Sequence, residues 1–348
     1  MSHLMKRKLY DPTAPNASTG IINGKSSNVL NWDDTRFKWA YSLYKTMLAN
    51  FWTPFEINMS NDIKQYKNEL SEKEHDTFNK IIGLLAFLDS IQTDYSHRIA
   101  DYLTDSSLSA LMTVLSFQEV VHNQSYSYVL SSVTTKQKQD EIFEYWKHDP
   151  VLRERNDFIV NGYQNFVDHP STQTFLESII YDVILEGLNF YSGFAFFYNL
   201  ARNQKMVGTS TMINYINRDE HQHVRLFAEI FKETLNENPK YNTAELERFA
   251  VETFQKAAEL EINWGRYIIG NEIQGILMSD LEAYIQFMAN LQIRKLGFDV
   301  KPFPQAPTKN PLKWIKAYQD VNMGKSDFFE QKSRQYTKVT DENGFDEL

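Results

Sequence analysis

Apolar residues recur at helical spacing over most of the chain, from Asn31 to about Leu296. Capping signals mark helix starts, with a capping-box pattern at Ser71–Glu74 and a candidate cap at Ser106. Several segments reach about 25 residues or more, and the sequence contains neither an internal repeat nor a sustained heptad. We therefore predict an all-α bundle of long helices around one core. The predicted helices are 32–49, 72–103, 106–132, 136–147, 151–167, 172–203, 209–236, 243–270 and 273–296.

The two ends of the chain differ in composition from its middle. Residues 1–30 are polar and rich in small side chains, so we predict a loosely ordered N-terminal arm. Residues 31–300 are predicted to form the helical domain. After Gly297 four prolines cluster and a polar sequence follows, so residues 301–348 are predicted to form an extended, largely flexible C-terminal tail.

Charge and composition exclude several classes of function. The chain has 36 Lys and Arg against 45 Asp and Glu, a formal net charge of −9, which disfavours nucleic acid and anionic membranes as partners. It has no cysteine, which excludes disulfides, thiolate metal sites and cysteine nucleophiles and fits a reducing, cytoplasmic location. The sequence also lacks the glycine-rich loops that bind nucleotide phosphates.

One apolar stretch, Val183–Ala201, approaches the length of a membrane span. It is interrupted by Glu186, Asn189 and Asn199, and a carboxylate in the middle of a bilayer is costly. We therefore predict a buried helix of a large helical protein and no membrane insertion. A carboxylate at such a position requires a partner.

The sequence Glu-x-x-His occurs three times, and on a helix the two residues share a face on which they could hold one metal ion. The pair Glu72/His75 lies in a polar, capped first turn, so we predict a solvated helix start there. The other two pairs interrupt apolar stripes at helical spacing, which places their side chains in the core. These two pairs are Glu119/His122 and Glu220/His223.

Two further apolar stripes are each broken by one carboxylate, Asp89 in GLLAFLDSIQ and Glu186 in the stretch described above. Four helices thus each supply an inward carboxylate, and two of them add a histidine. This is the ligand set of a dinuclear carboxylate site in a ferritin-like bundle. It suits two transition-metal ions of iron or manganese, and without a thiolate a structural zinc site is a weaker competitor.

Several alternatives remain open at this point. Each of these polar residues alone is more simply explained as a satisfied core group, so a non-catalytic helical scaffold is one alternative. A dinuclear metal oxidase or ligand-binding oxidase that acts on a small organic substrate is a second. Iron storage is weaker, because the chain far exceeds one four-helix unit. The coincidence of four interruptions in four separate stripes favours the dinuclear site.

Motifs around these residues resemble the small, radical-generating subunit of class I ribonucleotide reductase. The similarity covers roughly residues 30–340, and its motifs are FLDSIQ, FQEVVHNQSY, LEGLNFYSGF, INRDEHQH, FWTPFEI and SDFFEQKSRQY. The resemblance implies six metal ligands, which are Asp89, Glu119, His122, Glu186, Glu220 and His223. It also implies that Tyr126 is oxidised to a stable radical when the reduced metal site reacts with oxygen. The implied apolar pocket around this tyrosine consists of Phe190, Phe194 and Ile216.

The resemblance further implies a path for long-range radical transfer. Asp219 would hydrogen-bond the outer nitrogen of His122, and Trp52 would stack beyond that contact. Tyr336, in the tail, would relay to the large subunit. Simpler roles are also open, namely a salt bridge of Asp219 with a neighbouring arginine, an ordinary core position for Trp52 and a surface position for Tyr336.

The expected partners also come from the resemblance. The chain would form a homodimer and dock to the large catalytic subunit, which reduces ribonucleotides to deoxyribonucleotides. Its tail would contribute apolar anchors among acidic residues, at Phe328, Phe329, Phe345 and Leu348. A flavodoxin-like activator is implied if manganese is used. The sequence leaves open whether the ions are iron, manganese or a mixed pair, and whether Tyr126 or the metals store the oxidising equivalent.

Overall fold

The computed structural model describes residues 4–319, with side chains to residue 318, and its regular structure is almost entirely α-helical. Within this range the backbone forms no β-sheet, and one isolated bridge pairs Ile22 with Leu103. The all-α fold predicted from the sequence is confirmed. The helices are α1 (Lys38–Ala49), α2 (Ser60–Asn68), α3 (Glu72–Ala100), α4 (Ser106–Val133), α5 (Lys136–His148), α6 (Pro150–Asp168), α7 (Thr172–Ile184), α8 (Tyr191–Arg202), α9 (Val207–Glu237), α10 (Ala244–Ile268), α11 (Met278–Lys295) and α12 (Lys316–Gln319), with a π-helical segment at Leu185–Asn189 between α7 and α8.

Four long helical stretches surround the centre of the bundle: α3, α4, the stretch from α7 through the π segment to α8, and α9. α3 and α4 pack along each other, since only a short connection separates them. α9 packs on α4, α7 and α8 and is buried over most of its length. α10 and α11 pack against α7 and the π segment. This is the predicted ferritin-like bundle, and its four central stretches carry the inward carboxylates.

The start of α9 is held by a carboxylate from α2. Met206 takes a left-handed conformation with φ of +51°, and α9 begins after it without a side-chain cap of its own. Asp62 Oδ1 accepts from the backbone N–H of Gly208 at 3.0 Å, and Oδ2 accepts from that of Thr209 at 2.7 Å. Asp62 is 1% exposed and takes the place of the missing cap, with its negative charge at the positive end of the helix.

Several helix boundaries differ from those predicted. The π segment divides the predicted helix 172–203. The sequence did not predict this division, because the stretch is apolar on every face and a shift of one residue leaves no visible break in it. The predicted helix 273–296 begins only at Met278, since Gly275 takes φ of +98° in the turn before it. α1 also begins later than predicted, and the patterning did not reveal α2 or the short α12.

The N-terminal arm packs on the bundle more closely than its polar composition suggests. Residues 4–30 contain no helix, yet Leu4 and Ile21 are buried. The N–H of Ile21 donates to the Glu237 carboxylate at 2.7 Å, and its carbonyl accepts from the N–H of Thr104 at 2.8 Å. A few apolar anchors and hydrogen bonds therefore fix a segment whose average composition is polar.

The beginning of the predicted tail also packs on the bundle. The side chain of Asn290 donates to the carbonyl of Phe303 at 2.7 Å and accepts from its N–H at 2.9 Å. Leu312 and Ile315 are buried. Residues 320–348, which include the predicted docking anchors, lie outside the described residues.

Among residues 4–319, no helix combines the length and the apolar character that crossing a membrane requires. The apolar stretch Val183–Ala201 lies inside the bundle, and every one of its residues is buried. Its burial therefore comes from packing against other helices of the same chain.

We predict that Asp62→Ala destabilises the fold, because the N–H groups of Gly208 and Thr209 lose their acceptor. An unsatisfied buried donor or a lost helix cap costs about 1–3 kcal/mol. Urea unfolding followed by circular dichroism measures the change in the free energy of unfolding. Asp62→Asn keeps one acceptor oxygen and should lose less. Equal stability of Asp62→Ala and the parent would show that Asp62 does not support α9.

Candidate metal centre

Six acidic and imidazole side chains from the four central stretches meet in the core. Each is at most 1% exposed, and together they are Asp89 from α3, Glu119 and His122 from α4, Glu186 from the π segment, and Glu220 and His223 from α9. The structure thus brings together all six residues that were predicted from the sequence as metal ligands. The third Glu-x-x-His pair stays apart, with Glu72 exposed and His75 hydrogen-bonded to the carbonyl of Tyr66.

The six residues form two overlapping groups, and within each group one ligand atom from every residue lies within 4.8 Å of the others. The first group contains Asp89, Glu119, His122 and Glu220. The second contains Glu119, Glu186, Glu220 and His223. Two carboxylates, Glu119 and Glu220, belong to both groups. Since a carboxylate has two oxygens, each of these two could hold both ions of a metal pair at once.

Both imidazoles turn their Nδ1 nitrogen toward the shared carboxylates. Nδ1 of His122 lies 3.4 Å from Glu119 Oε2 and 3.4 Å from Glu220 Oε1. Nδ1 of His223 lies 3.0 Å from Glu119 Oε1 and 2.9 Å from Glu220 Oε2. The two oxygens of each shared carboxylate therefore face different histidines, so each carboxylate would be able to contact both ions of a pair.

Several buried atoms of the cluster have no hydrogen-bond partner among the described residues. They are Asp89 Oδ1, both carboxylate oxygens of Glu119, His122 Nδ1, Glu186 Oε2 and Glu220 Oε1. Leaving a buried polar atom unsatisfied costs about 1–3 kcal/mol, and more when it is charged. Cations satisfy carboxylate oxygens and an imidazole nitrogen together, and the four carboxylates offset the charge of two divalent ions.

The outer nitrogens of the two imidazoles also have partners. His122 Nε2 lies 3.3 Å from Asp219 Oδ2, and His223 Nε2 lies 3.0 Å from Gln118 Oε1. Such contacts fix the tautomer and the ring orientation of a metal-binding histidine. The sequence predicts the first contact only through the resemblance. It gives no sign of the second, because Gln118 is an ordinary polar residue beside Glu119.

A further polar network touches Glu186. Gln92 Nε2 donates to Glu186 Oε1 and, at 2.6 Å, to Asp182 Oδ1. The hydroxyl of Tyr163 donates to Gln92 Oε1 at 2.9 Å. Asp182 and Tyr163 were not predicted as site residues. Asp182 lies one helical turn before Glu186, so a wider search for carboxylates in that stripe could have found it, whereas Tyr163 has no distinguishing pattern.

Tyr126 lies one turn beyond His122 and is 1% exposed. Its hydroxyl donates to Asp89 Oδ2 at 2.7 Å. Burial, together with the negative charge of Asp89, raises the pKa of Tyr126 well above its usual value, so the phenol keeps its proton. The three residues predicted to form an apolar pocket are also buried, and they are Phe190, Phe194 and Ile216.

Trp52, Asp219 and His122 form a continuous chain of contacts. Trp52 Nε1 donates to Asp219 Oδ2 at 2.9 Å, and the same oxygen faces His122 Nε2. The ring centroids of Trp52 and His122 are 6.3 Å apart, with an interplanar angle of 27°. Arg218 Nη2 lies 3.3 Å from the other oxygen of Asp219. Asp219 therefore makes both contacts that the sequence predicted as alternatives, one with His122 and one with a neighbouring arginine. Tyr336 lies outside the described residues.

Comparison with known proteins decides the family. A family model described as ribonucleotide reductase, small chain, matches residues 29–311, which include all six residues of the cluster. The chain belongs to the ribonucleotide reductase small chain family. The resemblance stated from the motifs is confirmed.

Individual relatives agree with this assignment over nearly the whole small chain. A ribonucleoside-diphosphate reductase subunit beta from Halalkalibacterium halodurans is 71% identical over 348 residues, with 100% of both chains covered. The solved R2 subunit of ribonucleotide reductase from Clostridium botulinum is 40% identical with a TM-score of 0.88, covering 91% of this chain and 99% of that one. The crystal structure of dimanganese(II)-NrdF from Streptococcus sanguinis is 25% identical with a TM-score of 0.74, covering 84% of this chain and 99% of that one.

Burial and mutual repulsion raise the pKa values of two carboxylates in the cluster when no metal is bound. Burial, and next the charges of Glu119 and Glu220, raise the pKa of Asp89 well above its usual value. Burial, and next the charge of Asp182, do the same for the pKa of Glu186. Both groups therefore favour the neutral acid until a cation replaces the proton.

The pKa values of both imidazoles are raised as well, because the negative carboxylates beside them favour the protonated ring. Burial alone would lower the pKa of each imidazole, but the carboxylates outweigh it, above all Glu119. The pKa of His122 is raised well above its usual value, and that of His223 rises to about 9. Burial would raise the pKa of Glu220, but the neighbouring imidazoles of His122 and His223 outweigh burial and lower it.

We predict that Mn(II) binding to the small chain releases protons and that its apparent affinity increases with pH up to about pH 9. Metal ions bind carboxylates and neutral imidazoles, so the protons held by raised pKa values must leave, and this loss becomes easier as pH rises. Calorimetric titration in buffers of different ionisation enthalpy counts the released protons. Glu186→Gln cannot release a proton at that position and should release fewer. A pH-independent affinity without proton release would contradict the predicted protonation.

Proposed function

We propose that this chain is the beta subunit of a class I ribonucleoside-diphosphate reductase, which generates a radical and passes it to a separate catalytic subunit. The observation that carries the proposal is the pair of overlapping ligand groups, with Tyr126 hydrogen-bonded to a residue of the first. In this proposal the six residues of the two groups are the metal ligands. The subunit name of the Halalkalibacterium halodurans relative supports it.

Iron or manganese is the proposed metal pair. Carboxylate and imidazole ligands without thiolate suit both. The Streptococcus sanguinis relative is a dimanganese(II) protein, which supports manganese as one choice. When bound and reduced, an iron pair would supply a one-electron oxidant by reducing oxygen, whereas a manganese pair would need a stronger oxidant than oxygen. With manganese, we propose that a flavodoxin-like activator is also required. The location that we propose is the reducing cytoplasm, which the cysteine-free composition fits.

Tyr126 is the proposed radical site. Its hydroxyl lies 2.7 Å from Asp89 Oδ2, so the phenolic proton can move to that oxygen when the ring loses an electron. The ring then carries no net charge, which suits an apolar surrounding. Phe190 and Phe194 are buried and offer no polar group that could hydrate or reduce the radical.

Trp52, Asp219 and His122 are the proposed start of the path by which the oxidising equivalent leaves the centre. Asp219 Oδ2 contacts both ring systems and so holds them in a fixed relative orientation. Trp52 is 5% exposed and lies just beneath the surface. We propose that Tyr336 continues the path toward the large catalytic subunit. The proposed docking anchors in the same tail are Phe328, Phe329, Phe345 and Leu348.

A homodimer is proposed through an apolar face formed by the end of α1 and the middle of α4. Its residues are Leu48, Phe51, Phe117 and Val120, which are 49–55% exposed. Phe51 and Phe117 stack with ring centroids 6.0 Å apart, so the face is contiguous. Contiguous exposed apolar patches mark interaction sites, whereas single exposed apolar residues do not. This face fits the dimer that the family resemblance implies.

We predict that Tyr126→Phe still binds two metal ions but loses both the tyrosyl radical and nucleotide reduction. The oxidant has no phenol at this position from which to withdraw an electron and a proton. The chain is reconstituted separately with Fe(II) and Mn(II), and low-temperature electron paramagnetic resonance and metal analysis are recorded for each.

The matched control is Tyr284→Phe, which removes the hydroxyl of another buried tyrosine, on α11. It should keep the radical signal and the activity. An unchanged tyrosyl signal in Tyr126→Phe would place the radical elsewhere. A parent protein that binds fewer than about two ions per chain would contradict the metal centre itself.

We predict that Val120→Glu shifts the chain from dimer to monomer, because a buried unpaired carboxylate at the apolar face is costly. Disruption of a central interface residue weakens association by about 2–4 kcal/mol. Sedimentation velocity at several concentrations measures the change. Leu277→Glu, at an exposed apolar residue on another part of the surface, should leave the dimer unchanged. Equal sedimentation of both variants would contradict the proposed face.

A further inference from the structure

A buried ion pair links two helices that carry none of the six cluster residues. Arg155 on α6 donates from Nε to Glu261 Oε2 on α10 at 2.6 Å, and the two side chains are 1% and 0% exposed. Taking two charges out of water is expensive, and replacing a buried pair by apolar residues is often neutral or stabilising. The pair is therefore better explained by contacts that apolar residues could not make.

Those contacts are with the backbone at the end of the π segment. Arg155 Nη2 donates to the carbonyl of Asn189. Glu261 Oε1 accepts from the backbone N–H of Ser192 at 3.2 Å and from its hydroxyl. A π turn interrupts the regular helical ladder, and buried backbone groups next to it need partners. The ion pair supplies one donor and one acceptor at this interruption.

The π segment also carries Glu186, three residues before Asn189. Each residue of a helix advances the direction of a side chain by about 100°, so removing the extra residue of a π turn would rotate one flank against the other. The segment is also closely packed toward α11, since a Cβ on Gly187 would lie 2.7 Å from Cδ of Gln292 on that helix. The direction of the Glu186 carboxylate thus depends on where the π turn is held.

We propose that Arg155 and Glu261 are positioning residues that hold the π segment in register and thereby orient the Glu186 carboxylate toward the metal pair. The proposal rests on the function proposed above, in which Glu186 is a metal ligand. Gln92 orients the same carboxylate through its side chain. The ion pair acts through the backbone, from the other end of the segment.

The test uses the full chain and a variant that removes the pair without leaving a single buried charge. Arg155→Met combined with Glu261→Leu is this variant. Glu261→Gln and Ser192→Ala are milder changes at the same contact. The control is Lys205→Met, which breaks the 2.8 Å ion pair between Lys205 and Glu74, neither of which belongs to the π segment.

Two measurements distinguish positioning from a purely structural role. Amide hydrogen exchange of residues 185–192, recorded without metal, should accelerate by about tenfold or more in the double variant. The affinity for one of the two Mn(II) ions, measured by a titration that is monitored by paramagnetic resonance, should fall by about 10–100-fold. The affinity for the other ion should change less. Lys205→Met should match the parent in both measurements.

The proposal is wrong if the double variant keeps the exchange and both Mn(II) affinities of the parent and only its melting temperature changes. If the double variant does not fold, Glu261→Gln and Ser192→Ala decide by the same two measurements. A parent that does not bind two Mn(II) ions would contradict the proposed function instead. The exchange measurement needs no metal and still tests whether the ion pair holds the π segment.

Discussion

The burial of four carboxylates in one apolar core is the constraint on which the rest of the structure depends. An ionised carboxylate in such a place is costly unless an opposite charge compensates it. A scaffold that used polar residues for packing specificity would pair them with one another. Here several of their oxygens, and an imidazole nitrogen, face a common centre without a hydrogen-bond partner among the described residues. The core is therefore arranged for cations, in agreement with the family to which the chain belongs.

The residues of the cluster keep their geometry because other buried side chains hydrogen-bond to them. Asp219 and Gln118 contact the outer nitrogens of the two histidines, and Gln92 contacts Glu186. Asp62 supports α9 at a greater distance, by closing its first turn. The cost of assembling the charged centre is thus spread over several helices, which explains why a site of this kind needs a large bundle around it.

The sequence was sufficient for the all-α bundle and for the six residues of the cluster. A charged residue inside an apolar stripe is conspicuous, because helical periodicity predicts an apolar residue at that position. The supporting residues were not predictable in the same way. Gln118 and Asp182 lie beside or one turn from a cluster residue, where polar side chains are common. Arg155 and Glu261 resemble the charged residues of any amphipathic helix until folding brings α6 and α10 together.

The periodicity of apolar residues also did not predict the π segment or the packing of the N-terminal arm. A π turn adds one residue and shifts the phase of the apolar pattern, but this shift is not visible where every face of the helix is buried. The N-terminal arm is polar on average, yet Leu4 and Ile21 are enough to attach it to the bundle. In both cases the deciding contacts are few and come from residues distant in the sequence.

The two shared carboxylates connect the halves of the centre, and the remaining residues make the two halves different. One half is completed by Asp89, whose short side chain also accepts from Tyr126, and by His122, which continues to Trp52 through Asp219. The other half is completed by the longer Glu186 and by His223. Two different ions in this centre would consequently have two distinguishable arrangements. This asymmetry lies in the protein itself, because the phenol of Tyr126 adjoins the half completed by Asp89.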